Sequence, residues 1–257
     1  SANASHQTAS ANAPPQTASD DSAAMNRALA NAAAINRALA GAAQAGPGAE
    51  VVIPAGVYRL RAEAPSCLVL SRMTGVTLRG AGAATRLIVT NPRNGLAALT
   101  DCADVWLRDF AVDYDPLPFT QGAVTAVDVQ AGHFDLRTDE GYPRLDAPCF
   151  SAVDEVHGRW GMVMDRATRR IRAGTPDHIR TPRWELLGGE GGDGGDGRDW
   201  RMLASDAYRA RLSALRPGDA YVHLARGGSA FSFRQCSGGG IEGAAAARQV
   251  DVGVARP

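Results

Sequence analysis

Lysine is absent from the chain: all 27 basic residues are arginine, and 27 acidic residues bring the formal net charge to zero. A balanced charge leaves no electrostatic footprint for nucleic acid or an anionic membrane surface, so neither is expected as a partner. Aromatic residues are scarce at 6%, and no apolar run approaches the roughly 18 residues that a membrane-spanning helix needs. The four cysteines, Cys67, Cys102, Cys149 and Cys236, lie far apart and outside any CxxC or Cys/His spacing, so no metal site is expected. Three disulfide pairings remain open, with buried thiols packed as small hydrophobes an equal alternative. No cofactor is expected either. GAGAAT at 80–85 brushes against a phosphate-loop glycine pattern, but TRLIVT reads as a strand, which denies a pyrophosphate the helix N-terminus it needs.

What is present is ordinary for a folded protein with a sizeable core, at 45% hydrophobic residues. Abundant alanine, glycine and arginine reflect the codon bias of a GC-rich gene more simply than a functional arginine patch. Residues 1–19 hold only small and polar side chains with Pro14 and Pro15. They read as a disordered tail, of the kind that follows a cleaved signal peptide, and so predict a secreted protein. Asp20, Asp21 and Ser22 then offer N-caps to a helix carrying Met25, Leu29, Ile35 and Leu39 at helical spacing and ending at Gly41 or Gly46. AAMNRALA and AAINRALA within it read as a small tandem duplication.

From Val51 the texture changes to short β-branched and aliphatic runs broken by glycine. Val51 to Ile53 is echoed at Val76 to Leu78 and Val105 to Leu107, and Leu87 to Val89 at Phe110 to Val112. A period of roughly 20–30 residues with several short strands is the mark of a solenoid, with the helix as its cap. The expected fold is therefore all-β: a solenoid over 20–120, with an N-terminal capping helix. An inserted antiparallel β-barrel-like module is expected over 121–228. There VTAVDVQ and HFDLRTD read as a hairpin around Ala131-Gly132, and RWGMVMD and RRIRAG as another around Arg166 to Thr168. The glycine-rich 188–199 reads as a mobile loop, and it lacks the period of calcium-binding repeats. Residues 229–257 read as a return to the solenoid with a truncated or frame-shifted end after Gly243.

DDSAAMNRALA, VVIPAGVYRL and GVTLRGAGAATRLIV resemble the N-terminal coils of the pectate-lyase-like right-handed parallel β-helix superfamily. DYDPLPFTQGAVTAVD, GYP, GDAYVHLAR and FSFRQCSGGGIEG are more specifically similar to the exo-acting α-1,3-galactosidase family of glycoside hydrolases. The resemblance implies that the solenoid is a right-handed parallel β-helix carrying β-barrel modules, with a glycan or polysaccharide as partner and removal of terminal α-linked galactose with inversion. It also implies that the catalytic carboxylates lie on later coils, so it assigns no catalytic residue here. The expected function is that of the N-terminal portion of a secreted carbohydrate-active protein whose parent is a glycosidase, this chain being without turnover. The alternatives are a non-catalytic glycan-binding or scaffold protein and a polysaccharide lyase; the lyase ranks lowest because no lysine can serve as its proton acceptor.

Inverting hydrolysis requires a carboxylic acid and a carboxylate about 6.5–9.5 Å apart. On one strand Asp113 and Asp115 would share a face about 7 Å apart, but Pro116 puts Asp115 at a strand end, where an aspartate commonly binds nearby backbone. Asp113, Tyr114 and Asp115 are therefore candidate substrate contacts, together with Gln121 and His223. Tyr114, Phe119, Trp106 and Trp160 are candidate sugar platforms, against core packing as the commoner fate. His133, His157 and His178 lack partner spacing for catalysis, and His223 stands out only by alternating with Tyr221 on one face.

Overall fold

The computed structural model describes residues 17–151, 159–168, 170–188, 196–225 and 229–246. The opening helix α1 (Thr17–Ala45) starts ahead of the expected N-caps Asp20, Asp21 and Ser22, which lie within it. It ends where Gly46 turns at φ 99° and its N–H donates to the Ala42 carbonyl, the left-handed residue with which helices commonly stop. Ala28, Ala32, Ile35 and Leu39 form its buried stripe, at the 3–4 residue spacing of one helical face. Asn36 gives the helix a second use. Its amide donates to the Cys67 carbonyl and accepts from the Val69 N–H, so one side chain pairs a strand edge that would otherwise be open.

Six strands follow: β1 (Glu50–Val52), β2 (Gly56–Leu60), β3 (Ser66–Ser71), β4 (Thr77–Val89), β5 (Gly95–Thr100) and β6 (Trp106–Tyr114). All their pairings are parallel: β1 and β2 on β4, β4 on β6, and β3 on β5. Thr77 and Leu78 stack on Trp106 and Leu107, the register the sequence echo predicts. Val51, however, falls on Leu78 and Leu87 on Val112, two residues along from the expected partners. A slip of two keeps every side chain on its own face, so hydrophobic alternation cannot detect it. GAGAAT lies in an irregular stretch of β4 where the register shifts; Thr85 is buried there and donates to the Pro54 carbonyl.

Beyond Tyr114 the chain builds an antiparallel sheet from β7 (Phe119–Asp128), β8 (His133–Thr138), β9 (Trp160–Asp165), β10 (Arg170–Ile171), β11 (Ile179–Arg180), β12 (Arg183–Leu186), β13 (Asp199–Leu203) and β14 (Ala220–Leu224). Their order is β10-β9-β14-β7-β8-β13-β12, with β11 also on β9. Both expected hairpins form, β7 with β8 and β9 with β10. The short helix α2 (Pro148–Ser151) and a 3₁₀ helix (Asp206–Ala214) complete this part. Then β15 (Phe231–Arg234) pairs with β5, while β16 (Gly240–Glu242) and β17 (Ala245–Ala246) pair with β6, again in parallel.

The expected right-handed parallel β-helix is therefore not the fold. The chain is mostly β, but its sheets are mixed: six- and three-stranded parallel sheets stand beside a larger antiparallel one. The cause is local. Tight turns such as the one at Gly132, φ 79°, reverse the chain at once, whereas parallel partners require a long crossover. Two separate cores result, one between the parallel sheets and α1, the other inside the antiparallel sheet around Phe134, Phe150 and Tyr221.

The parallel layers turn at matching places. Arg72, Asp101 and Gln235 all adopt φ of 52–54°, and the N–H groups of Arg72 and Asp101 donate to the carbonyls of Thr100 and Arg234 in the next layer. Non-glycine residues rarely take this conformation, and three in succession mark a turn imposed by stacking. All four cysteines carry thiols. No helix among the described residues is long and apolar enough to cross a membrane. Most of the expected tail, most of the glycine-rich 188–199, His157, and the chain from 247 onward lie outside the described residues.

Candidate functional site

The five residues singled out from the sequence fall in three places. Asp113 and Tyr114, at the end of β6, line a cavity of about 350 Å³ completed by Leu117, Pro118, Phe119, Phe231 and Ile241. The cavity opens where the core of the parallel sheets meets the start of β7. In the deeper layers Leu70 and Leu99 are fully covered, and so are Leu78 and Leu107. Phe233 and Ile241, stacked above them, remain 45% and 39% exposed.

Asp113 is buried. One of its carboxylate oxygens accepts the Tyr114 N–H at 2.8 Å and the other lies 3.5 Å from the Arg86 guanidinium. Tyr114 donates its hydroxyl to the Asn94 carbonyl at 3.3 Å, which fixes its ring at the cavity wall. Asp115 lies just past the strand, half-exposed, in a 2.9 Å ion pair with Arg59. The two carboxylates therefore engage different arginines from different levels of burial.

Gln121 is fully buried in the antiparallel sheet and donates to the Asp139 carboxylate at 2.9 Å. Asp139 belongs to a polar depression with Arg137, Glu140, Asp196 and Arg198. Arg137 is taken up there by Asp196 and Asp199, and Asp139 by Arg166.

His223 is likewise fully buried. Its Nδ1 shares a 3.3 Å hydrogen bond with Thr181, which also meets the Tyr221 hydroxyl at 3.0 Å. Trp184 stands edge-on to the imidazole at 5.1 Å, and Nε2 is buried with no hydrogen-bond partner among the described residues. Burial, reinforced by the charge of Arg159, pushes the imidazole down to about 3, because an apolar surround disfavours the charged form. Burial likewise raises the Tyr221 hydroxyl. This is a neutral core histidine, enclosed rather than presented.

Of the candidate platforms, Trp106 is covered by Arg108 at 4.3 Å and donates to Asp104, and Trp160 abuts His178. Phe119 and Tyr114 line the cavity. Sequence reasoning missed Phe231 and Ile241, although the alternation in FSFR, which sets Phe231 and Phe233 on one face, was a usable signal. Among the described residues no group of three or more His, Cys, Asp or Glu could hold a metal ion. No known family model matches the chain, and no curated protein is significantly similar to it.

Proposed function

We propose that the chain is a non-catalytic glycan-binding module that takes the apolar face of a sugar ring into the cavity between Phe231 and the 113–119 segment. One observation carries this reading. DYDPLPF and FSFRQCSGGGIEG, two of the segments whose sequences resemble the galactosidase family, are distant in the chain yet supply most of the cavity's lining. Its size is at the lower end for ligand sites, matched to a single ring, and Tyr114, Phe119 and Phe231 give it aromatic surface with Asp113 as a polar anchor. Turnover forms no part of the proposal, because Asp113 and Asp115 are each engaged by an arginine of their own.

The test is saturation-transfer NMR and calorimetry with α-galactosyl oligosaccharides and a panel of other neutral glycans. Binding to the native chain and a loss of roughly tenfold in Phe231→Ala, about 1.4 kcal/mol, is the expected result. Absence of transfer from every glycan sinks the reading, and hydrolysis of an α-galactoside would replace it with the glycosidase one. The exposure of Phe233 and Ile241 favours a second reading, a scaffold that docks a protein on this end. Its signature is a concentration-dependent rise in mass by light scattering that Phe233→Ser abolishes.

A further inference from the structure

We propose that Cys102 and Cys236 form a redox-closable pair that staples the turn after β15 to the turn after β5. The register brings them together. Ala103 and Ser237 are parallel bridge partners, so the cysteines immediately before them sit one above the other, and the Ser237 N–H donates to the Cys102 carbonyl at 3.0 Å.

Their side chains also share a direction. The Cys102 thiol lies 3.4 Å from the Thr100 carbonyl, the Cys236 thiol 3.3 Å from that of Arg234, and Thr100 and Arg234 are themselves register partners. Neighbouring strands lie about 4.8 Å apart, within the roughly 4.4–6.8 Å Cα separation that disulfides span. Closing the bond needs the two side chains to rotate toward each other from this parallel arrangement, and Cys102 to give up its 3.5 Å contact with the Leu70 carbonyl. Both residues lie in a turn outside the regular strands, and among the described residues β15, which leads into the Cys236 turn, pairs with no strand but β5. The other two cysteines are not so placed. Cys67 stands at the opposite end of the β3–β5 ladder, and Cys149 packs against the antiparallel core.

Access sets the order of events. Cys102 is 3% exposed and Cys236 is only partly buried. The Cys236 thiolate attacks one sulfur of a small-molecule disulfide such as oxidised glutathione, forming a mixed disulfide and expelling one glutathione thiolate, which takes up a proton. The Cys102 thiolate then attacks the Cys236 sulfur and expels the second. Two protein thiols are oxidised, one external disulfide is reduced to two thiols, and the new bond closes a loop around the entire antiparallel sheet. That loop tethers β15 and β16, which carry Phe231 and Ile241, and the staple stands whatever ligand the cavity takes.

The experiment is to incubate the reduced full chain with oxidised glutathione, block remaining thiols with an alkylating agent, and map tryptic peptides by mass spectrometry. The expected result is a mass loss of about 2 Da before blocking, one cross-link joining peptides 94–108 and 235–248, and alkylation confined to Cys67 and Cys149. The oxidised form should melt at a higher temperature, a gain that dithiothreitol reverses and that Cys102→Ser and Cys236→Ser each lack. Four alkylated thiols, a stable glutathione adduct on Cys236 that never resolves, or a cross-link between any other pair overturns the proposal.

Discussion

Replacing His223 by phenylalanine should make the protein markedly less sensitive to acid. In the folded chain the imidazole is held down to about 3, whereas in the unfolded chain it titrates near its ordinary value of about 6.5. The unfolded state therefore binds the extra proton, and stability falls as pH drops below about 6.5 and continues falling toward 3. Each pH unit inside that window costs about 1.4 kcal/mol. Between pH 7 and pH 4.5 the histidine accounts for about 2.5 kcal/mol, a large part of the 5–15 kcal/mol by which domains are usually stable. Phenylalanine keeps a ring against Trp184 and Phe150 but has no proton to take up. Urea unfolding of both proteins at the two pH values gives the comparison, and carboxylates common to both cancel in the difference. Native stability should fall by about 2.5 kcal/mol more than that of the variant, and the His223 ring proton should show no titration by NMR above pH 4.5. Equal losses in the two proteins would refute the argument, because the imidazole would then not be excluded from protonation by the fold.

Leu39→Ala, which empties a fully covered site between α1 and the parallel strands, should cost about 2–5 kcal/mol, read as a lower urea midpoint. Gly161→Ala should destabilise by about 1–3 kcal/mol, since a Cβ there would collide with the Tyr221 ring and the Val222 carbonyl. Chemical denaturation followed by tryptophan fluorescence measures it. Asp115→Asn should change stability by less than about 1 kcal/mol in the same assay, because its pair with Arg59 is half-exposed on both sides.

The sequence was informative wherever a property is carried by neighbouring residues. Strand texture and both hairpins follow from local pattern and turn chemistry, while of the two helix ends the sequence offered, Gly41 lies inside the helix and Gly46 just past it. Register between layers was harder, since β1 could slide by two residues on β4 and still present Val51 to the core. The site was legible only in part. Asp113, Tyr114 and Phe119 were found through one short segment, but Phe231 reaches the same cavity only because β15 returns to β5 after the antiparallel sheet, a fact of topology. Gln121 and His223 were chosen for chemistry and proved to be interior, since a period-2 alternation marks the shared face of a strand without saying which face is buried.

The pairing of Phe119 with Leu224 sets the entrance and exit of the antiparallel sheet side by side. The polypeptide leaves the parallel layers and re-enters them through a single narrow gate, like a parenthesis in a sentence that still reads without it. A protein engineer could use that gate as an exchange point. The segment from Phe119 to Ala225 could be cut out for a short linker, or replaced by another unit with adjacent ends, while Leu99 and Phe233 still meet across the splice.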